Sequence, residues 1–250
     1  MFQSIIEQFP SSEQTGIKVL AFDQGGIYIG VDYAATVKYF KELGVTNAHD
    51  LYTQKKQTPE IDLFEQGKIS DAEFYQYLRR NLTGLKPEIT DAQLYEGWNA
   101  MLTGVIPGVL EFIRELRALG YIVIVVSNAD SIHHLGVRDQ LREAGVMHLF
   151  DTESFDATFI SYQIGFNKPS VAIFYEVFRR LQERFGSIKI EPKDILFLDD
   201  SEKHIVGRDE TEGAVRAGWL GLLVPSNSSV NVLAGYLLSA LKEKASELAY

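Results

Sequence analysis

Short apolar runs that each end in polar side chains are the feature that most constrains the fold of this chain. The clearest runs cover residues 17–22, 121–126, 194–198 and 219–224, and a weaker one covers residues 157–162. Uninterrupted apolar runs of strand length, rich in branched and aromatic residues, are typical of strands that are buried on both faces. The sequence therefore predicts a central sheet of such strands.

Helical patterns lie between these runs. Residues 107–119 carry apolar side chains at helical spacing, with Pro107 at the expected first position and Gly120 just past the end. A second helical pattern covers residues 171–185. Strands that alternate with helices predict an α/β fold with a doubly wound parallel sheet, in which ligands bind at the carboxyl ends of the strands.

Residues 32–103 interrupt this alternation, because they contain no convincing strand but several helical segments. Start signals mark two of these helices, namely the capping boxes formed by Ser70 with Glu73 and by Thr90 with Gln93. We therefore expect an inserted helical cap domain over residues 32–103, and a core domain made of residues 1–31 and 104–250.

Composition excludes several classes of function. Cysteine is absent, so the chain has no disulfide framework, zinc ribbon or thiol nucleophile. A formal net charge of −10 argues against a nucleic acid or an anionic membrane as partner, since both require clustered Lys and Arg. No stretch approaches the roughly 20 apolar residues that span a bilayer, and we expect a cytoplasmic protein. The sequence leaves the oligomeric state open.

Carboxylates follow two of the predicted strands. Asp23 comes directly after the first run, and Asp199 and Asp200 follow the run at 194–198. A carboxylate can attack phosphorus only if the repulsion between it and the phosphate is masked, usually by magnesium held on further carboxylates. These three residues supply such a set, with Mg²⁺ as the expected cofactor.

Groups that suit a phosphate follow two other strands. Lys168 lies in the loop after the weaker run, where an ammonium can hold phosphoryl oxygens and the charged nucleophile. Ser127 and Asn128 follow the run at 121–126, where a hydroxyl and backbone N–H groups can bind a phosphoryl oxygen. The chain thus carries both halves of a phosphoryl-transfer site.

Four motifs, FDQGG, VSNAD, GFNKP and FLDDS, occur in the order found in the haloacid dehalogenase-like (HAD) hydrolase superfamily, which the chain resembles over residues 17–224. The segment FEQGKISDAEFYQYL is similar to the cap of bacterial glucose-1-phosphatase-like enzymes. The resemblance implies a hydrolase that takes the phosphoryl group from a small phosphorylated metabolite, with sugar phosphates as the expected class.

The resemblance also implies a role for each motif residue. Asp23 would be the nucleophile and a metal ligand, Lys168 the charge clamp, and Asp199 and Asp200 the acidic metal pair. The backbone carbonyl of Gly25 would be a further metal ligand. The expected phosphate-binding groups are Ser127, Asn128, Gly25 and Gly26.

Gly25 departs from the pattern of many related phosphatases, which carry there a second Asp that protonates the leaving group and activates water. Two alternatives to a phosphatase therefore stay open. One is a dehalogenase, which uses the same Asp on carbon and releases a halide that needs no proton. The other is a metabolite-binding protein with weak or no turnover.

Three histidines could belong to a metal site or have only a structural role. His204, four residues after Asp200, stands where related sequences commonly have Asp or Asn, and either orients the metal shell or caps the local helix. His133 and His134 are adjacent and do not face one way on a helix, so we interpret them as surface or core-edge residues.

Overall fold

The computed structural model of the protein describes residues 3–53 and 56–248. Its strands are β1 (Val19–Phe22), β2 (Ile29–Val31), β3 (Tyr52–Thr53), β4 (Lys56–Gln57), β5 (Leu102–Val105), β6 (Ile122–Ser127), β7 (Ala157–Ile160), β8 (Ile195–Asp199) and β9 (Leu220–Leu223).

The helices are α1 (Gln3–Ile6), α2 (Ser12–Thr15), α3 (Tyr33–Glu42), α4 (Ala48–Leu51), α5 (Pro59–Glu65), α6 (Asp71–Asn81), α7 (Asp91–Asn99), α8 (Val109–Ala118), α9 (Ser131–Glu143), α10 (Ser161–Ile164), α11 (Val171–Arg184), α12 (Glu202–Ile205) and α13 (Val230–Leu248). A π-helical turn covers Leu149–Glu153, and 3-10 turns cover Pro192–Asp194 and Val215–Ala217.

A parallel sheet with the strand order β7-β6-β1-β8-β9 forms the centre of the molecule. Each predicted apolar run supplies one of these strands, with ends that differ from the prediction by at most two residues. In β1, Phe22 lies opposite Val125 of β6 and Leu198 of β8, so the residues that follow these strands meet at one edge. The predicted α/β fold class is confirmed.

Alternate residues of the central strand enter two different cores. Leu20 and Phe22 belong to the larger cluster of buried residues, whereas Val19 and Ala21 belong to a second cluster on the other face. Successive side chains of a strand point to opposite faces, so a strand that is apolar at every position requires helices on both sides. An uninterrupted apolar run therefore indicates a strand that is covered on both faces of the sheet.

The start of α8 differs from the prediction. The helix begins at Val109 and not at Pro107, because Gly108 takes the N-cap position with a φ of 80°. This left-handed conformation is open to glycine and cannot belong to a right-handed helix.

Helices α3 to α7 pack around an aromatic cluster that Ile132 of α9 joins. Phe74 stacks on Phe64 with ring centroids 4.1 Å apart and meets Trp98 edge to face at 4.7 Å. The two predicted capping boxes, at Ser70 and Thr90, are present. The domain boundaries at 31/32 and 103/104 stay a prediction.

The prediction that residues 32–103 contain no strand was wrong. Strand β5 begins at Leu102 and pairs antiparallel with β2, and β3 pairs antiparallel with β4. These strands are two to four residues long and carry glycine at Gly30 and Gly104, so neither length nor apolar alternation marked them. The β2–β5 ribbon joins the helical segment to the sheet.

Within residues 3–53 and 56–248, no helix combines the length and the apolar character needed to cross a bilayer.

Candidate active site

A cavity of about 460 Å³ lies at the carboxyl edge of the sheet, beneath the helical segment. The structure brings most of the predicted site residues to its wall, namely Asp23, Gly25, Ser127, Asn128, Lys168 and Asp200. Asp199 is fully buried and lies behind Lys168, with which it forms an ion pair. Asp23, Ser127 and Asp199 lie at or directly after the carboxyl ends of their strands, and Lys168 lies in the loop after α10.

Lys168 joins the two carboxylates. Its side chain is fully buried, and its Nζ lies 2.9 Å from Oδ1 of Asp23 and 2.6 Å from Oδ2 of Asp199. Burial alone lowers the pKa of a lysine, but the nearby Asp199 and Asp23 outweigh it and raise the pKa of Lys168 above its usual value. The lysine is therefore a fixed positive charge at the base of the cavity.

The loop that carries Lys168 is held by Asn128. The Asn128 side chain donates from Nδ2 to the Lys168 carbonyl at 2.8 Å and accepts from the Lys168 N–H at 2.7 Å. This reciprocal pair uses both ends of the amide, so the Asn128 side chain positions the lysine and is not available to a phosphate.

The two carboxylates of the ion-pair cluster differ in their affinity for protons. Burial raises the pKa of Asp23 from 3.8 to about 6, against the opposing effect of Lys168. Asp199 is also buried, but Lys168 and His204 hold the pKa of Asp199 below its usual value. Its Oδ1 accepts a further hydrogen bond of 2.8 Å from the Ser201 N–H. Asp199 is therefore the permanent anion of the pair.

The donor set at this edge fits a hard divalent cation. Among the described residues, Oδ1 of Asp23 has no hydrogen bond of good geometry although Nζ of Lys168 lies nearby, so a buried carboxylate oxygen is left for another positive group. Asp200 is a partly buried carboxylate at the same wall, and burial raises its pKa above the usual value. Clustered carboxylate oxygens are the ligands that Mg²⁺ prefers.

His204 contacts the carboxylates rather than a helix end. Its Nδ1 lies 3.0 Å from Oδ2 of Asp199, and Asp23, Asp199 and His204 offer potential ligand atoms that all lie within 4.8 Å of one another. Of the two roles considered from the sequence, the structure therefore favours orientation of the acidic cluster.

Backbone groups at the strand ends complete the site. Within the described ranges, the N–H groups of Gly25 and Asn128 donate no hydrogen bond, and the Ser127 hydroxyl makes only a long contact of 3.4 Å with the Asn128 carbonyl. No strong internal acceptor therefore competes with a bound anion for these three donors.

Gly26 does not fit its predicted phosphate-binding role. Its N–H donates to the Ile29 carbonyl at 2.8 Å, and its own carbonyl accepts from Asn227. Its φ of 73° and the space around it give a steric reason for glycine, since a Cβ here would lie 2.4 Å from Oδ2 of Asp200. The prediction for Gly26 is corrected accordingly.

The sequence did not predict the cavity residues that lie outside the four motifs. The additional lining residues include Tyr33, Glu65 and Lys203, and burial with the carboxylates nearby raises the pKa of Tyr33. His133 also lines the cavity and is buried, so its interpretation as a surface or core-edge residue was incomplete. Its place in the first turn of α9, directly after the Ser127 strand, was the available signal.

Comparison with known proteins agrees with this geometry. Residues 17–207 match the family model described as haloacid dehalogenase-like hydrolase. The chain is 25% identical to a D-ribitol-5-phosphate phosphatase of Bacteroides thetaiotaomicron, over 77% of this chain and 88% of that protein. A HAD family enzyme of the same species, solved as a magnesium complex, has a TM-score of 0.70 and 27% identity, over 87% of this chain and 98% of that one. Its complex with magnesium and inorganic phosphate has a TM-score of 0.67 and 26% identity, over 87% and 99%.

Proposed function

Because the chain belongs to the haloacid dehalogenase-like hydrolase family, we propose that it is a magnesium-dependent phosphatase of small phosphorylated metabolites, with sugar or polyol phosphates as substrates. The observation that carries this proposal is the buried Asp23–Lys168–Asp199 cluster at the base of the cavity. The similarity to proteins named as a ribitol-phosphate phosphatase and as magnesium and phosphate complexes supports it.

The reaction takes place in two steps at Asp23. A carboxylate oxygen forms a bond to phosphorus while the ester P–O bond breaks, which gives an aspartyl-phosphate and the alcohol leaving group. Water then attacks phosphorus, the acyl-phosphate P–O bond breaks, and inorganic phosphate leaves with the carboxylate restored.

The residues around Asp23 hold the phosphoryl group during both steps. Lys168 offsets the charge of the nucleophile, while the Ser127 hydroxyl and the N–H groups of Gly25 and Asn128 bind phosphoryl oxygens. Asp23, Asp199, Asp200 and the carbonyl of Gly25 would hold the metal. Asp199 could still take part although it accepts from Lys168, because a carboxylate oxygen has more than one lone pair. A bound Mg²⁺ would mask the repulsion between the nucleophile and the phosphate.

Gly25 determines how the rate depends on the leaving group. The position supplies no carboxyl group, so it offers no general acid to the leaving oxygen. A positioned general acid contributes about 10²–10⁴-fold. We therefore expect low rates with simple alkyl phosphates and higher rates with good leaving groups such as anomeric phosphates.

Phosphate release from a panel of phosphorylated metabolites, with Mg²⁺ and with EDTA, tests the proposal. We expect turnover that requires Mg²⁺ and that is lost in Asp23→Asn. Asp151→Asn, which changes an exposed carboxylate paired with Arg138, is the matched control and should retain full activity. Turnover that persists in Asp23→Asn would refute the mechanism.

Release of chloride from 2-haloacids measures the dehalogenase alternative in the same samples. Chloride release that is indifferent to EDTA, together with no phosphate release, would replace the phosphatase proposal.

A further inference from the structure

The wall of the cavity carries a lysine that the proposed reaction does not use. In the described ranges two lysines line the cavity, Lys168 at its base and Lys203 of α12. Nζ of Lys168 is held by the carboxylates of Asp23 and Asp199, at 2.9 and 2.6 Å. The charge of Lys168 is therefore balanced inside the protein, whereas the charge of Lys203 has to be considered separately.

The ammonium group of Lys203 has no partner in the part of the chain that the structure describes. Its Nζ takes part there in no hydrogen bond and no ion pair. The residue is half-buried, yet Nζ retains accessible surface. This ammonium can therefore bind an anion without first breaking an internal contact, and a hydrogen bond between two charged groups is stronger than one between neutral groups.

Asp62 indicates on which side of the cavity this charge acts. Asp62 belongs to α5 of the helical segment; burial raises the pKa of Asp62, and the charge of Lys203 opposes this effect. The two side chains form no ion pair, and Oδ1 of Asp62 accepts instead from Nδ2 of Asn167 at 3.5 Å. The charge of Lys203 thus acts toward the helical segment, whereas the groups proposed to bind the phosphoryl group lie at the sheet edge.

The charged residues that the helical segment contributes to the described wall are acidic. They are Asp32 and Glu65, and the Asp32 carboxylate caps α3 by accepting from the Ala34 N–H at 2.9 Å. An anionic group of a ligand would be repelled by these two carboxylates and attracted by Lys203. On this side of the described wall, Lys203 therefore offers the favourable position for such a group.

We propose that Lys203 binds an anionic group of the substrate other than the transferred phosphoryl group, which favours phosphate esters that also carry a carboxylate or a second phosphate. The inference rests on the proposed phosphatase function and deepens it. Phosphorylated sugar acids and polyol bisphosphates are the corresponding substrate classes. Lys203 is thus a specificity-determining residue.

Lys203→Met is the test variant, because it keeps an unbranched side chain and removes the charge. Three five-carbon substrates differ at one end only: a polyol phosphate with a terminal hydroxyl, the aldonate phosphate with a terminal carboxylate, and the polyol bisphosphate. The fourth substrate, p-nitrophenyl phosphate, has no second anionic group. The control is Lys38→Met, which removes an exposed lysine of α3 that lies 4.0 Å from Glu42.

In the wild type we expect kcat/KM to be about 10-fold or more higher for the preferred substrate with a second anionic group than for the polyol phosphate. Lys203→Met should lose this preference, mainly through KM, because the contact is made before and during the reaction. Its values for the polyol phosphate and p-nitrophenyl phosphate should stay within about 2-fold of the wild type. Lys203→Arg should retain most of the preference, and Lys38→Met all of it.

The comparison of the aldonate phosphate with the bisphosphate identifies which anionic group Lys203 binds. Equal losses on all four substrates in Lys203→Met, with unchanged thermal stability, would overturn the inference, because Lys203 would then act on the transferred phosphoryl group. A wild type that prefers neither substrate with a second anionic group would overturn it as well.

The phosphatase proposal has its own readout in the wild type, because magnesium-dependent hydrolysis of p-nitrophenyl phosphate does not require a second anionic group. Absence of that activity in the wild type would overturn both proposals. Its presence without the expected preference would overturn only the role of Lys203.

Discussion

Replacing the proposed nucleophile Asp23 by Asn should stabilise the metal-free protein at neutral and alkaline pH. Burial raises the pKa of Asp23 to about 6 in the folded state, compared with 3.8 for an ordinary aspartate. A carboxyl group with a raised pKa opposes folding when it is ionised, so this cost is absent below pH 3.8 and complete above pH 6. A shift of roughly 2 units, at 1.36 kcal/mol each, corresponds to about 3 kcal/mol.

Urea denaturation in EDTA at several pH values measures this effect. We expect Asp23→Asn to be more stable than the wild type by about 3 kcal/mol at pH 8, by about half of that at pH 5, and by well under 1 kcal/mol at pH 4. Asp151→Asn also removes one carboxylate, but from the surface, and should show no such gain. Added Mg²⁺ should stabilise the wild type more than Asp23→Asn and so narrow the difference.

A loss of stability in Asp23→Asn at pH 8 would refute this reasoning, because it would mean that the attraction between Asp23 and Lys168 exceeds the cost of burial. A gain of the same size at pH 4 and pH 8 would refute it equally, since the gain would then have no connection with ionisation. The first outcome would also predict that the metal-free protein is most stable with Asp23 charged.

Two further substitutions act on the same cluster. Gly25→Asp should raise kcat on alkyl phosphates by up to about 100-fold and leave p-nitrophenyl phosphate unchanged, because only the poor leaving group needs a proton; steady-state kinetics with both substrates measure this. A Cβ at position 25 would lie 3.2 Å from Cγ2 of Val31, so Gly25→Asp should be combined with Val31→Ala. If the variant and the wild type hydrolyse alkyl phosphates at the same rate, the site has adapted to glycine. Lys168→Met leaves Asp23 and Asp199 buried without their cation, and should lower the free energy of unfolding by about 3–5 kcal/mol at pH 8 in urea denaturation. The loss should shrink as the pH falls and Asp23 is protonated; a loss that does not depend on pH would contradict the ion-pair explanation.

The sheet and the motif residues were predictable because the same physical property determines both. A strand that is buried on two faces must be apolar at every position, and the first polar residue after it must lie at the edge of the sheet. Asp23, Ser127 and Asp199 each occupy such a position. Their meeting at one edge followed from parallel pairing alone.

The features that were missed depend on contacts between distant segments. The β2–β5 ribbon is too short to show a pattern, and its pairing is visible only once the helical segment folds back on the sheet. The N-terminal end of α8 was set by the conformation of Gly108, which a sequence does not display. His133 became a cavity residue through its contacts with Asn99 and Trp98, both from α7.

Ile132 limits the exchange of the helical segment between proteins, because it packs in the core of that segment although it lies outside it. This residue of α9 belongs to the same buried cluster as Phe74 and Trp98, and its neighbour Asp130 accepts the hydrogen bond of the Trp98 indole. Excision of residues 32–103 would separate the rest of the cluster from Ile132 and the Trp98 indole from its acceptor Asp130 at once. A chimaera that grafts this segment onto another catalytic domain would therefore have to carry the first turn of α9 with it.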